Sequence, residues 1–233
     1  MAKKESKIET LLEQPENIID DLQSGKFEEW FNTNKNLITY IGGGIALVVL
    51  LIAGWKYYTT SQNEEGQNVM FQAVYYFEAD SLNKALNGDG NSPGFVDIAS
   101  DYSFTKAGNL ANYYAGVSYL KLGKFDEAIE YLKSFSSDDI LVQARSYSLI
   151  GDAYMEQGNY DDAISYYEKA ANYKPTKEFT PDYLMKLGLA YELNKDFESA
   201  AKAYEKIVNE YPNSARVNDA KKYKALSEAA SGN

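Results

Sequence analysis

The chain has 233 residues, of which 45% are hydrophobic, so it is long enough to bury the core of one or two domains. Its formal net charge of -11 argues against nucleic acid as a partner, because phosphate binding needs a clustered basic face. Cysteine and histidine are both absent, which removes thiolate nucleophiles, disulfides, the commonest metal ligand and the commonest general base.

Residues 1–36 form an N-terminal segment with apolar side chains at helical spacing, divided into two pieces by Pro15. This pattern is typical of amphipathic helices that rest on a membrane or on each other, or of a docking segment for a protein partner. We favour a protein contact, because the 8 acidic residues before position 37 outnumber the 5 lysines and leave little attraction for anionic lipid.

A run of apolar residues from Leu37 to Trp55 follows, with no charged residue between Lys35 and Lys56. At about 1.5 Å per helical residue, the run matches the ~30 Å hydrocarbon thickness of a bilayer. A buried helix of a soluble domain seldom lacks a polar stripe over this length. The sequence therefore predicts a single transmembrane helix over residues 37–58, which we expect to remain uncleaved because no small-residue cleavage site follows it.

The lysines that flank this run indicate its orientation. Lys26 and Lys35 lie close to it on the N-terminal side, against Lys56 alone on the other side. Positive residues are retained on the cytoplasmic side of a membrane, so we expect a cytoplasmic N terminus and an exported C-terminal part. In a double-membraned bacterium this places a single-pass protein in the inner membrane with its C-terminal part in the periplasm.

Residues 59–108 are expected to form a linker and a degenerate first repeat that is interrupted by a loop from Asn87 to Gly94. Within the loop, Asn87, Asp89 and Asn91 alternate as calcium ligands do. A calcium loop also needs a glycine after them and a closing glutamate, and this chain has Ser92 and no such glutamate. The sequence therefore predicts a solvated turn and not a metal site.

Residues 109–214 repeat one pattern three times, with a separation of 35 and then 37 residues, the length of a helix, a turn and a helix. Each repeat has a glycine, a tyrosine three residues later and an alanine twelve residues after the glycine: Gly116, Tyr119, Ala128; Gly151, Tyr154, Ala163; Gly188, Tyr191, Ala200. The small residues let two helices approach closely, while large rings fill the remaining space. Gly123 and Gly158 are predicted to lie where the chain reverses between paired helices, and Asn194 is near the equivalent place in the third repeat.

These residues resemble the tetratricopeptide repeat family. Two repeats carry its signature positions one by one: Tyr147, Ile150, Gly151, Tyr154, Ala163, Tyr167, Ala170 and Pro175, then Leu184, Leu187, Gly188, Tyr191, Ala200, Tyr204 and Pro212. The resemblance implies an all-α solenoid of antiparallel helical hairpins with a concave groove. Residues 215–233 are then expected to supply a capping helix, from about Ala215 to Ala229, and a tail.

No residue pattern indicates catalysis. The sequence lacks phosphate-cradling, metalloprotease and nucleophile-elbow motifs. The paired carboxylates Asp138 with Asp139 and Asp161 with Asp162 are interpreted as helix starts, where acidic groups favour the positive end of the helix. We therefore expect no enzyme, no cofactor and no bound metal.

The resemblance implies that residues of the first helix of each repeat line the groove. These candidate groove residues are Tyr113, Val117, Leu120, Ser148, Asp152, Met155, Met185, Leu189 and Glu192. The Lys and Asn that clamp chaperone C termini in some repeats of this family are missing, so Tyr, Leu and Met favour a helix or an extended apolar protein segment. The alternative, that several of these side chains pack only against neighbouring helices, stays open.

The layout of a short N-terminal segment, one anchor and a set of repeats is similar to the ancillary SecYEG translocon subunit family of the bacterial inner membrane. This similarity implies contact with the translocon or with periplasmic chaperones, and assistance to newly exported proteins. A structural scaffold of another envelope assembly, such as a secretion or outer-membrane insertion complex, is the competing hypothesis.

Overall fold

The computed structural model describes residues 26–232. The chain divides into two compact units, Met1–Tyr58 and Thr59–Asn233. The interpretation of residues 1–25, including the division at Pro15, lies outside the described residues.

The first described element is a long helix, α1, which runs from Lys26 to Glu78. Part of it has a mean hydropathy of 2.3 with none of its residues buried, so the helix is long and apolar enough to cross a membrane. The predicted membrane segment, residues 37–58, lies entirely within α1. Residues 59–78 continue the helix, which ends where Asp80 takes a φ of 55° and the amide of Ser81 bonds to the carbonyl of Tyr76 at 2.8 Å.

The unit Thr59–Asn233 continues with two short helices, α2 (Leu82–Asn87) and α3 (Phe95–Asp101). Together with the end of α1 and the helix that follows, they enclose one apolar cluster: Met70, Ala73, Ala85, Leu86, Phe95, Ile98, Ala99, Ala111 and Ala115. The loop between α2 and α3 is held by Asp89. Its carboxylate accepts bonds from the amides of Asn91 (2.9 Å) and Ser92 (2.8 Å) and from the hydroxyl of Tyr76 (2.7 Å).

Three helical hairpins follow in the order that the repeats predict. They are α4 (Lys106–Lys121) with α5 (Phe125–Ser134), α6 (Ile140–Glu156) with α7 (Tyr160–Asn172), and α8 (Thr180–Leu193) with α9 (Phe197–Glu210). A last helix, α10 (Val217–Ser231), packs on α9. It lies within two residues of the predicted capping helix. The all-α solenoid of hairpins is confirmed.

The glycines of the repeats mark the closest approach between the two helices of each hairpin. A Cβ atom at Gly151 would lie 2.7 Å from Cε1 of Tyr167, and one at Gly116 would lie 2.5 Å from Cγ of Leu132. At Gly188 the added atom would overlap the ring of Tyr204. Real Cβ contacts are longer, so only glycine fits at these positions with the helices this close.

The three hairpin turns have their left-handed residue at the same repeat position. Gly123 and Gly158 adopt a φ of 72°, as expected, and Lys195, the residue after Asn194, adopts a φ of 62° in the third turn. Asn194 has a φ of -78° and directly follows the last residue of its helix. Its side chain bonds to Asp161 of the preceding hairpin at 2.9 Å. Asn194 therefore makes a contact between hairpins, directly before the residue that reverses the chain.

The same contact recurs one hairpin earlier, where the side-chain amide of Gln157 donates to Asp126 at 2.7 Å. Gln157 and Asn194 each directly follow the last residue of a first helix, and Asp126 and Asp161 are each the second residue of the second helix of the preceding hairpin. Polar side chains at one repeat position therefore join successive hairpins along the edge that carries the turns.

Candidate functional site: a groove lined by the first helices

The first helices of the three hairpins border a cavity of about 750 Å³. Arg216, which precedes α10, and Phe179, which precedes α8, complete its wall. The lining residues are Leu110, Tyr113, Tyr114, Leu141, Val142, Arg145, Ser148, Leu149, Asp152, Phe179, Asp182, Tyr183, Met185, Lys186 and Arg216. Because the second helices lie behind the first, each hairpin presents one helix to this groove.

Four of the nine predicted groove residues line the cavity: Tyr113, Ser148, Asp152 and Met185. They come from three different first helices, so the structure brings together residues from all three hairpins. Ser148 is almost fully buried, with 3% of its surface exposed, whereas the other three are half-buried.

The other five predicted groove residues lie outside this lining. Val117 and Leu120 pack on an apolar cluster with Ile150, and Met155 packs on the cluster that the second and third hairpins share. Glu192 accepts a hydrogen bond from Ser227 of α10 at 2.7 Å, while Leu189 is 46% exposed. Val117, Leu120, Met155 and Glu192 thus have contacts to neighbouring helices.

Asp152 is the most heavily bonded side chain of the groove. Its carboxylate oxygens lie 2.8 and 2.7 Å from Nζ of Lys186, which also donates to Ser148 at 3.2 Å. Asp152 further accepts a hydrogen bond of 2.7 Å from the hydroxyl of Tyr167. Burial, followed by the negative charge of Asp152, raises the pKa of Tyr167, so this phenol keeps its proton and donates. Asp152 thereby joins the core of the second hairpin to the third hairpin.

A second ion pair closes the other end of the groove. The guanidinium of Arg216 donates to Asp182, the third residue of α8. This hydrogen bond and the charge of Asp182 raise the pKa of Arg216 above its ordinary value. The two residues are 34 positions apart, the same separation as Asp152 and Lys186, although the two aspartates occupy different positions of their repeats.

Arg145 is the remaining charged residue of the lining. It is exposed and, among residues 26–232, forms no ion pair. Tyr113 of the preceding hairpin and Tyr183 of the following hairpin flank it. Burial raises the pKa of both phenols, and the positive charge of Arg145 opposes that rise. Two neutral hydroxyl groups and one guanidinium therefore face the same part of the groove.

Sequence analysis missed Arg145, Lys186, Arg216 and Tyr183 as groove residues. One signal was present, since Arg145 and Arg216 are the only arginines in the chain and both line the cavity. The second signal was the 34-residue spacing of the oppositely charged partners. Neither signal places a side chain without knowledge of how the hairpins stack.

The paired carboxylates lie at helix starts, as predicted. Asp139 accepts bonds from the amides of Leu141 (2.8 Å) and Val142 (3.1 Å), and these bonds lower its pKa. Asp161 and Asp162 belong to the first turn of α7. Within residues 26–232, no group of three or more acidic side chains could hold a metal ion.

Comparison with known proteins agrees with this architecture. The tetratricopeptide repeat family model matches residues 113–178 and 148–215. The chain is therefore similar to this family over residues 113–215. The matched segments cover the helices that border the groove, apart from the first turns of α4.

A curated relative shares the repeats over a limited span. It is a TPR repeat-containing protein of Methanocaldococcus jannaschii, 29% identical over 100 residues. The matched part is 43% of this chain but only 17% of the relative, so the chain matches about a sixth of that protein.

Two solved structures are also similar. Both contain nearly identical TPR-like repeats of a Podosopora anserina kinesin light chain protein, and one of them is a single-substitution variant of the other. They have 17% and 16% sequence identity and a TM-score of 0.48, and each match covers 74% of this chain and 86% of the other.

Proposed function

We propose that this protein is a membrane-anchored adaptor that holds segments of other proteins in the groove of its tetratricopeptide repeats. The observation that carries the proposal is the cavity built by three first helices, with aromatic and aliphatic side chains around a few fixed polar groups. Such a lining suits an apolar protein segment, because apolar burial supplies affinity and a few polar groups supply orientation.

The anchor of the proposed adaptor is the apolar part of α1. Its large side chains are exposed along the whole stretch, from Leu37 at 56% to Trp55 at 60%. Such a row of aliphatic side chains is unfavourable in water, and a bilayer would remove it from water. Tyr40 and Trp55 stand near the two ends, where amphipathic rings prefer the headgroup region.

The proposed location is the inner membrane of a bacterium, with the N terminus in the cytoplasm and the repeats in the periplasm. The lysines beside the apolar stretch support this orientation. In that position the groove would receive segments of newly exported proteins near the Sec translocon, or of periplasmic chaperones. The groove holds its ligand by burial and hydrogen bonding, and we assign it no catalytic step.

Site-specific photocrosslinking in intact cells of the source organism tests the function. A photoreactive phenylalanine replaces Met185, which lines the groove, and in a control it replaces Lys202, which lies on the second helix α9. We expect protein adducts at position 185 that are absent at position 202. Equal adducts at both positions, or none, would contradict binding in the groove.

The identity of the adducts tests the finer proposal. Translocon subunits and varied nascent secreted chains would support a role in export. A fixed set of envelope components in constant proportion would instead indicate a structural scaffold. Orientation is tested separately, by protease added to spheroplasts: we expect cleavage of the repeats from outside, and protection of the repeats would overturn the periplasmic location.

A further inference from the structure

The groove contains a positive charge that forms no ion pair within the part of the chain that the structure describes. Three cationic side chains line it, and two of them are paired: Lys186 with Asp152, and Arg216 with Asp182. Arg145 forms no ion pair with any residue of the range 26–232. In a chain with a net charge of -11, this local excess of positive charge is opposite in sign to the rest of the protein.

The surroundings of Arg145 are suited to one particular group. Guanidinium binds a carboxylate through two parallel hydrogen bonds. Tyr113 and Tyr183, whose phenols stay protonated, add two hydroxyl donors on either side. A single carboxylate would thus meet a guanidinium and two hydroxyl groups, each from a different hairpin.

On this basis we infer that the groove recognises a protein segment in which one Asp or Glu side chain is flanked by apolar residues, and that Arg145 binds this carboxylate. The inference rests on the proposed function and names the chemistry of the ligand. Arg145 comes from the middle hairpin, with Leu110 of the first hairpin and Met185 of the third on either side. If the acidic residue is internal, the ligand continues on both sides of it and can contact both Leu110 and Met185. A ligand bound through its C-terminal carboxylate would reach only one of these two residues.

The charge count also distinguishes a carboxylate from a phosphate. A phosphorylated side chain carries about two negative charges and three acceptor oxygens, and it usually needs more than one free cation. Lys186 and Arg216 already bind aspartates at close range. One free guanidinium therefore matches one carboxylate.

The test is a selection of peptides from a random library of about twelve-residue sequences, displayed on phage, against the full chain in lipid nanodiscs. Parallel selections use Arg145→Gln, the charge reversal Arg145→Glu, and the matched control Lys202→Gln. The control substitution removes the same charge from α9, away from this cavity, where Lys202 pairs with Glu198 at 2.6 Å. Thermal unfolding of each variant verifies that the fold is kept.

We expect the wild type and Lys202→Gln to enrich peptides with one Asp or Glu between apolar residues. Arg145→Gln should weaken the best of these peptides about tenfold, as loss of a charge-assisted bidentate pair does. Arg145→Glu should exchange the preferred acidic residue for Lys or Arg. Replacement of the peptide's acidic residue by its amide should weaken binding to the wild type and leave binding to Arg145→Gln unchanged.

The outcomes separate the two proposals. Groove-binding peptides without an acidic residue, or an unchanged affinity in Arg145→Gln, would overturn the role of Arg145 and leave the adaptor function standing. Enrichment of phosphopeptides over carboxylate peptides, tested with phosphoserine versions of the best sequences, would also overturn it. A wild type that enriches no peptide would count against the proposed function itself.

Discussion

Replacement of Gly151 by leucine tests the packing on which the repeats depend. Even one added carbon would lie 2.7 Å from Cε1 and 2.8 Å from Cδ1 of Tyr167. The ring cannot move aside easily, because it is 2% exposed and its hydroxyl bonds to Asp152. The leucine must therefore push the two helices of the hairpin apart or displace the ring.

The expected magnitude follows from two opposing effects. Overpacking of a filled core costs about 1–3 kcal/mol, and the immobile ring places this site toward the upper end. Leucine stabilises a helix more than glycine does, and this difference offsets up to ~1 kcal/mol of the lost stability. We expect a net loss of about 2 kcal/mol, which lowers the midpoint of thermal unfolding by ~4–8 °C for a domain of this size.

The assay is thermal unfolding of the full chain in detergent micelles, followed by circular dichroism. Gly54→Ala is the matched control, because an added carbon there meets no atom within 4 Å. Combining Gly151→Leu with Tyr167→Ala should cost less than the sum of the two single changes, since the leucine then occupies space that the ring has left. An unchanged midpoint for Gly151→Leu, or strict additivity in the double variant, would refute the assigned contact.

Three further predictions use other parts of the chain. Lys195→Gly should stabilise the protein by about 0.5–1 kcal/mol, because glycine adopts the φ of 62° without the strain of a side chain; a lower unfolding midpoint would contradict this. Hydrogen bonding from Tyr76, Ser92 and Asn91 lowers the pKa of Asp89 to about 2. The ionised carboxylate therefore stabilises the folded protein at pH values above the ordinary pKa of an aspartate, and this stabilisation is lost as the pH falls toward 2. The difference in unfolding midpoint between wild type and Asp89→Asn should therefore shrink between about pH 5 and 2, and Glu178→Gln, in an exposed loop, serves as the control. A fragment that begins at Ser61 should be soluble and strongly helical, and substantial strand signal in its circular dichroism would contradict the fold.

The fold of the repeats could be predicted from the sequence because each position has a local physical requirement. Gly151 and Gly188 are needed where two backbones approach, and Tyr167 and Tyr204 fill the space opposite them. These pairs recur at a fixed spacing, so helix, turn and helix follow directly. The third turn gave a weaker signal, because its left-handed residue is Lys195, next to Asn194, and lysine is rarer than glycine or asparagine in that conformation.

The prediction of a degenerate first repeat before residue 109 depends on one short sequence similarity within the chain. Ile98, Tyr102 and Thr105 repeat the spacing of Ile207, Tyr211 and Ser214, and the backbone bonds agree. The amide of Tyr102 bonds to Ile98 as that of Tyr211 bonds to Ile207, at 3.1 and 3.0 Å. The continuation of α1 over residues 59–78 gave no equivalent signal, because nothing in that stretch resembles a repeat.

The groove was less predictable than the fold. Which first-helix residues face the cavity depends on how successive hairpins stack, and this is set by contacts between residues far apart in the chain, such as Lys186 with Asp152. Periodicity within one hairpin does not contain that information. Arg145 was missed for the same reason, since its importance comes from the lack of an ion pair with any residue of the described range 26–232.

The two ion pairs along the groove also determine how firmly its walls are held. Both are partly open to solvent, with side-chain exposures of 41% and 29% for Lys186 and Asp152, and of 50% and 44% for Arg216 and Asp182. Pairs of this kind contribute only about 0–1 kcal/mol each. The second and third hairpins also share one apolar cluster, in which Tyr167 and Ala171 of α7 join Leu184 and Leu187 of α8. High ionic strength should therefore weaken the two ion pairs without separating these hairpins. A groove built in this way keeps a nearly fixed width, so a ligand must fit the gap that the stacked helices leave.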